Sequence, residues 1–158
     1  MISHAPKNYI CPFCAFVKNT EAEGVLQVQQ DIIYQDHFIT AFISPKWWEK
    51  NPGNVIIIPN EHFENIYDLP NELGYKIHDA AKEVAIALKT VYKCDGVSTR
   101  QHNEPAGNQD VFHYHLHVFP RYTNDNLYKN HDKKRFVSPE ERLPFAEKLR
   151  NYFKNKHE

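Results

Sequence analysis

The sequence predicts an α+β domain, in which short β-strands form a sheet and two longer helices pack against it. Six segments combine β-branched and aromatic residues with turn residues at their ends, which is typical of strands. They lie near residues 24–28, 32–34, 38–43, 54–58, 96–102 and 112–119. At 158 residues the chain has the length of one ordinary domain, so we treat 1–158 as a single unit with a sizeable core.

Two segments predict helices. From about residue 71 to 93, apolar residues recur at helical spacing, so that one apolar stripe can cover a sheet. The stripe comprises Leu73, Ile77, Ala80, Ala81, Val84, Leu88 and Val91. The second helix begins at Ser138 and extends to about Tyr152. Its start is indicated by Ser138 as N-cap, Pro139 at the first helical position and Glu141 at the capping-box position.

Charge and hydropathy limit the classes of partner. The formal net charge is −1, with 19 Lys and Arg against 20 Asp and Glu, which does not indicate a basic surface for nucleic acid. No apolar run reaches the length of a membrane span, and the first ten residues do not have the pattern of a secretory signal. We therefore expect a cytoplasmic protein whose partner is a small anion, with neither nucleic acid nor membrane as a partner.

Three histidines at every second residue are the main candidates for chemistry. In a β-strand alternate residues share a face, so His113, His115 and His117 would lie on one side and apolar residues on the other. Packing alone does not explain imidazoles at this spacing. Either all three bind one metal ion, or a neutral imidazole acts as nucleophile on phosphorus. The small residues and amides at 103–109 resemble a phosphate-binding loop and favour the second interpretation.

The cysteines indicate a metal site more than a disulfide framework, because their number is odd and the chain is long. Cys11 and Cys14 have a spacing that lets both thiolates reach one zinc ion, although a redox dithiol or two unremarkable thiols fit the same spacing. Cys94 is expected to be a small buried residue. Because there is no second cysteine pair, two further zinc ligands would be histidines.

The segment His113-Tyr-His115-Leu-His117-Val-Phe resembles the signature of the histidine-triad (HIT) nucleotide hydrolases and transferases. Ile56-Ile-Ile-Pro59-Asn-Glu-His62 is similar to the strand of that family that ends in Pro and His, and Cys11-Pro-Phe-Cys14 to its frequent cysteine pair. The resemblance implies a core over about 10–122, with a C-terminal loop and helix at 123–158. It also implies a five-stranded antiparallel sheet with a long central helix and a C-terminal helix.

The resemblance further implies a zinc-binding, bacterial-type member with one structural zinc ion. Its four ligands, carried over by position, are Cys11, Cys14, His62 and His113. HIT proteins commonly form homodimers, so we expect the same assembly here.

For catalysis, the resemblance implies that His115 attacks an α-phosphorus and forms a nucleotidyl-histidine that water then hydrolyses. The expected catalytic residues are His115, His117 and Gln109. The expected nucleotide- and phosphate-binding residues are Asn103, Gly107, Asn108, Gln109, His115 and His117. Nucleoside phosphoramidates and dinucleoside polyphosphates are the implied substrates.

The chain departs from the family pattern at two positions. Asp110 lies where several members have Ser or Thr, and its carboxylate disfavours a phosphate unless it is protonated or turned away. The acidic ribose-binding residue expected before Ser44-Pro45 is absent. These departures leave two alternatives: a weakly active nucleotide-binding regulatory module, and a three-histidine metalloenzyme. Paired tryptophans, Trp47 and Trp48, follow in the same loop as packing residues or as part of a pocket wall.

Overall fold

A computed structural model describes residues 2–130 and 132–156 and contains a five-stranded antiparallel sheet with helices on both faces. The strands in chain order are β1 (Ile32–Gln35), β2 (Ile39–Ile43), β3 (Lys46–Trp47), β4 (Val55–Pro59), β5 (Gly96–Gln101), β6 (Leu116–Arg121) and β7 (Arg135–Phe136). The large sheet has the order β1-β2-β4-β6-β5, and β3 pairs with β7 in a separate ribbon. The predicted α+β class and antiparallel sheet are confirmed.

The helices in the described ranges are α1 (Pro12–Val17), α2 (Asn71–Ala87) and α3 (Pro139–Lys156). Both predicted helices are present. The first ends six residues earlier than expected as an α-helix, at Ala87, because a π-helical turn follows at Leu88–Tyr92 and Lys93 then adopts φ +56°. The second begins with the predicted capping box, in which the Glu141 N–H donates to Ser138 Oγ and the Ser138 N–H donates to the Glu141 carboxylate.

Side chains of the central strands alternate between the two faces of the sheet, and both faces are buried. In β4, Val55 and Ile57 pack into the core beneath α2 and α3, whereas Ile56 and Ile58 pack on the opposite face with Phe13 of α1. Strands covered on both faces read as continuous apolar runs, which explains the Val-Ile-Ile-Ile sequence. The face covered by α1 is the one that carries the candidate site.

Two predicted strands differ from the structure. Residues 24–28 form no strand, because side chains bind their backbone: the Val28 N–H donates to Asp31 Oδ2 at 2.8 Å, and Arg142 Nη2 donates to the Leu26 carbonyl at 3.2 Å. The predicted strand at 112–119 begins only at Leu116. Before it, the Tyr114 N–H donates to the Phe63 carbonyl at 2.5 Å, so this stretch follows a loop instead of a neighbouring strand.

The C-terminal segment is joined to the N-terminal half of the chain at two points. Arg142 of α3 forms a buried, bidentate ion pair with Asp31 at 2.8 Å through both Nε and Nη2. The β3–β7 ribbon pairs Lys46 with Phe136 and Trp47 with Arg135. In the part of the chain that the structure describes, no helix is long and apolar enough to cross a bilayer.

Candidate active site and metal centre

Four potential ligands for a metal ion converge beside the sheet. The sulfur atoms of Cys11 and Cys14 and one nitrogen each of His62 and His113 all lie within 4.8 Å of one another. Cys11 is the N-cap of α1, and the Cys14 N–H donates to Cys11 Sγ at 3.5 Å, so the helix start holds both sulfurs on one side. The structure thus brings together all four residues of the expected zinc set.

The distances within this cluster suit a tetrahedral zinc ion. His113 Nδ1 lies 3.3 Å from Cys11 Sγ and 3.6 Å from Cys14 Sγ, and His62 Nδ1 lies 3.4 Å from Cys14 Sγ. Around a tetrahedral zinc with Zn–S of about 2.3 Å and Zn–N of about 2.0 Å, sulfur and nitrogen are separated by about 3.5 Å. His113 Nε2–H donates to the Pro59 carbonyl at 2.9 Å, which leaves the Nδ1 lone pair for a metal.

The protonation of the cluster also suits a cation. The hydrogen bond with Cys11, followed by the contacts with the two imidazoles, holds the pKa of the Cys14 thiol well below its usual range. The same hydrogen bond with Cys14, together with burial, raises the pKa of Cys11. The hydrogen bond with Cys14 raises the pKa of His62. A thiolate is therefore already favoured in the folded chain, and thiolates are the form that binds zinc.

Beside this cluster, His115 and His117 line a cavity of about 310 Å³. His115 Nδ1–H donates to the His113 carbonyl at 2.7 Å, which fixes the ring and leaves the Nε2 lone pair free. Burial lowers the pKa of His115 and lowers that of His117 further, so both rings are neutral at pH 7. A neutral imidazole with a free lone pair is the nucleophilic form.

His113 does not share this cavity. Its Nδ1 faces the cysteine sulfurs and its Nε2 faces the Pro59 carbonyl. The rings of His115 and His117, which do line the cavity, lie 5.1 Å apart. In the described residues, the cluster of Cys11, Cys14, His62 and His113 is the group that fits a metal. This arrangement does not favour the three-histidine metalloenzyme.

Asp110 also lines the cavity, and its charge is compensated. Its Oδ2 accepts from Lys46 Nζ at 3.0 Å, and its Oδ1 lies 4.0 Å from His115 Nε2. Although partial burial opposes ionisation, the Lys46 ammonium lowers the pKa of Asp110. The carboxylate is therefore neither protonated nor turned away, which were the two conditions under which Asp110 was expected to tolerate a phosphate. It faces His115 as half of an ion pair with Lys46.

The side chain of Gln109 reaches the cavity but is fully engaged in hydrogen bonds to backbone. Its Oε1 accepts from the Glu104 N–H at 2.7 Å, and its Nε2 donates to the carbonyls of Glu64 at 2.5 Å and Val111 at 3.0 Å. These bonds join the turn before the histidines to the loop after β4. Gln109 therefore positions the cavity wall.

The expected phosphate loop is a hydrogen-bonded turn. Asn108 lines the cavity, whereas Gly107 and Asn103 do not. The N–H groups of Gly107 and Gln109 both donate to the Glu104 carbonyl at 3.0 Å, so they are not presented to an anion. The Asn103 side chain accepts from the Ile66 N–H at 2.8 Å and pairs with Gln101, which makes it a brace between two loops.

Sequence reasoning missed two cavity residues on β5 and just beyond it. Arg100 lies directly opposite His117 in the β5–β6 register. His102 follows two residues later; its Nδ1 lies 2.6 Å from the Gly107 carbonyl and its ring 6.4 Å from that of His117. Both residues stood in a predicted strand, but the sequence does not give the register that places them beside the histidines.

The paired tryptophans have different surroundings. Trp47 Nε1 donates to the Ser44 carbonyl at 2.7 Å, and its ring packs on Phe145 in the core. Trp48 lines the cavity and packs edge-on against Phe119 with ring centroids 5.5 Å apart. One tryptophan is thus a packing residue and the other a cavity wall.

A family model for the HIT domain matches residues 25–124, which is more than half of the chain. The chain belongs to the HIT domain family. It is 29% identical over 119 residues to "Protein hit" of Bacillus subtilis, a match that covers 75% of this chain and 74% of that protein. It is 35% identical over 98 residues to the purine nucleoside phosphoramidase of Escherichia coli, covering 58% of this chain and 76% of the enzyme.

Comparison with solved structures supports the same fold. A Zn-bound histidine triad family protein from Mycobacterium smegmatis superimposes with a TM-score of 0.73 at 24% identity, covering 94% of this chain and 97% of that one. The superposition extends beyond the matched HIT segment at both ends. Part of the chain outside 25–124 therefore belongs to the shared fold.

Proposed function

We propose that this HIT protein is a nucleotide hydrolase or nucleotidyl transferase that cleaves at an α-phosphate through a nucleotidyl-histidine intermediate. The observation that carries the proposal is the state of His115, which is buried and neutral, with Nδ1–H bound to the His113 carbonyl. Its Nε2 is the atom left to react at the cavity. The 35% identity to a purine nucleoside phosphoramidase supports the same class of reaction.

The proposed reaction has two steps. His115 Nε2 forms a bond to the α-phosphorus while the bond from phosphorus to the leaving group breaks, and the electron pair departs with the leaving atom. Water then attacks the nucleotidyl-histidine and releases the nucleoside monophosphate together with the neutral imidazole. His117, with its ring 5.1 Å from that of His115, contacts the phosphate oxygens in this scheme. Asn108 and Gln109 border the phosphate as cavity walls.

A structural zinc ion belongs to the proposal. Cys11, Cys14, His62 and His113 would hold it, and it would supply a fixed tetrahedral crosslink between α1, the loop after β4 and the residues before β6. The His113 carbonyl accepts the hydrogen bond that orients His115, so the cluster and the nucleophile share one backbone group. The chain itself therefore links ligand position to nucleophile orientation.

The test is direct detection of the intermediate. The protein is mixed with adenosine 5′-phosphoramidate or diadenosine triphosphate, quenched without acid and analysed by mass spectrometry. We expect an adenylyl adduct on the peptide that contains His115, together with release of AMP. If the protein binds AMP but forms no adduct and turns over neither compound, the nucleotide-binding regulatory module replaces the enzyme.

We also propose a homodimer in the cytoplasm. None of the three cysteines forms a disulfide, which suits a reducing compartment. HIT proteins commonly pair through a two-fold interface, in which the same patch on both subunits is used. Light scattering at micromolar concentration should give twice the 18.6 kDa chain mass, and the chain mass itself would contradict the dimer.

A further inference from the structure

The cavity has two chemically different ends, ordered by ring contacts along the sheet. The ring of Phe13 lies 5.5 Å from that of His115, the rings of His115 and His117 are 5.1 Å apart, and His117 stacks on Phe119 at 5.5 Å. Pro12, which precedes Phe13 in α1, also lines the cavity, so the end next to Phe13 is apolar. The histidines thus separate an apolar end from the end around Phe119.

Arg100 occupies the second end. It is the cross-strand partner of His117, so both side chains project from the same face of the sheet. Its guanidinium lies 4.4 Å from the centre of the Phe119 ring and about equally far from two other rings, at 5.4 Å from Trp48 and 5.5 Å from Tyr128. Stacking on three aromatic rings fixes a guanidinium plane without using its hydrogen-bond donors.

Those donors have no acceptor within the described chain. Arg100 Nε and Nη2 are buried and make no hydrogen bond there. The neighbouring Arg121 provides an internal comparison, because it stacks on the same Tyr128 ring at 4.7 Å but gives both Nε and Nη2 to the Asp125 carboxylate. Buried guanidinium donors without a carboxylate are costly unless a ligand completes them.

The charge of the cavity as a whole points to an anion. The residues that line the cavity include three cationic side chains, Lys46, Arg100 and Lys134, against one carboxylate, Asp110. Asp110 is already bound to Lys46 at 3.0 Å, so it does not compensate Arg100. The fork of a guanidinium matches the oxygens of a phosphate group.

We propose that Arg100 binds a phosphate of the leaving group, so that nucleoside polyphosphates are preferred over phosphoramidates as substrates. This inference rests on the proposed function and names its substrate class. In the first step the bond from His115 Nε2 to the α-phosphorus forms and the bridging P–O bond breaks. The electron pair stays on the departing phosphate oxygen, whose negative charge Arg100 stabilises, and the base occupies the apolar end.

The test compares two substrates in one variant. Arg100→Gln should lower kcat/KM for diadenosine triphosphate by roughly ten- to a hundredfold, the range for losing hydrogen bonds to a charged group, and should affect adenosine 5′-phosphoramidate several-fold less. Arg100→Lys keeps the charge without the fork and should fall between wild type and Gln. If Arg100→Gln lowers kcat/KM equally for both substrates, or for neither, the assignment is wrong.

Arg135→Gln is the matched control, because it removes the same charge from a half-exposed site that does not line the cavity. We expect it to leave the ratio of the two substrates unchanged. Thermal denaturation reports whether Arg100→Gln folds; if it does not, Arg100→Lys carries the same comparison. A change of substrate ratio in Arg135→Gln as large as in Arg100→Gln would overturn the assignment.

A binding measurement separates this inference from the proposed function. By calorimetry, wild type should bind ADP about tenfold more tightly than AMP, and Arg100→Gln should abolish the difference. If the protein turns over neither substrate yet keeps this Arg100-dependent preference, the hydrolase proposal fails and the phosphate site stands. If both substrates are hydrolysed and ADP has no Arg100-dependent advantage, the phosphate site fails and the hydrolase stands.

Discussion

His113 and His115 lie two residues apart in one motif, yet the chain treats their rings differently. Both nitrogens of His113 are engaged, Nδ1 with the cysteine sulfurs and Nε2 with the Pro59 carbonyl. His115 uses only Nδ1, in the bond to the His113 carbonyl. The same residue type thus serves a closed ligand cluster at one position and an open cavity at the next. The difference lies in the ring nitrogens: His113 has a partner for both, whereas His115 keeps Nε2 for the cavity.

Substitution of His115, the ring that faces the cavity, should have the largest effect. His115→Asn should lower kcat by roughly 10⁴-fold or more, because it removes the attacking nitrogen, while the fold and AMP binding remain. Steady-state hydrolysis and calorimetry measure the two effects. His117→Ala serves as the comparison variant and should lose turnover less completely. Wild-type rates in His115→Asn would show that the open ring is not the nucleophile.

Mutations in the metal cluster should mainly lower stability. Cys14→Ser should abolish metal binding and lower the free energy of unfolding by roughly 3–5 kcal/mol, because a ligand set that crosslinks three segments is broken. Denaturant unfolding and elemental analysis measure this, with one zinc ion per chain expected in the wild type.

Cys94→Ala is the control for that experiment, since Cys94 is a buried thiol outside the cluster. It should keep the full zinc content. If wild-type protein purified without chelator contains no zinc, the metal site is contradicted.

Gln109 lines the cavity, but all its side-chain hydrogen bonds go to backbone groups, so we expect it to be a positioning residue. Gln109→Ala removes three hydrogen bonds to backbone groups and should cost about 2 kcal/mol of stability, with a loss of turnover below about tenfold. Urea unfolding and kcat are measured on the same preparation. A loss of kcat approaching that of His115→Asn, at unchanged stability, would instead make Gln109 catalytic.

The smallest effect is expected at the ion pair of Lys46 and Asp110 beside His115. Lys46→Met leaves the Asp110 carboxylate uncompensated 4.0 Å from His115 Nε2, so kcat/KM should fall about fivefold, the size expected for a partly exposed pair. Asp110→Ser in the same background should restore most of it, which a double-mutant cycle quantifies. Additive losses would show that the two side chains act independently.

The sequence predicted α2, α3 and the central strands because their apolar periodicity extends over many residues, whereas the short helix α1 was not predicted. It did not predict that residues 24–28 lack strand pairing, since that outcome depends on Arg142 and Asp31, which are distant in sequence. The four residues of the metal cluster followed from family resemblance, and the structure brings them together. Arg100 was missed because cross-strand register is a tertiary property.

The β3–β7 ribbon has a consequence for how such a protein diversifies. It joins Lys46 to the segment that carries Lys134, and both side chains border the cavity. The matched family segment, 25–124, contains the histidine motif but neither Lys134 nor the cysteine pair. A mutation at Lys134, outside the matched segment, can therefore change the charge beside the cavity while His115 and His117 stay unchanged.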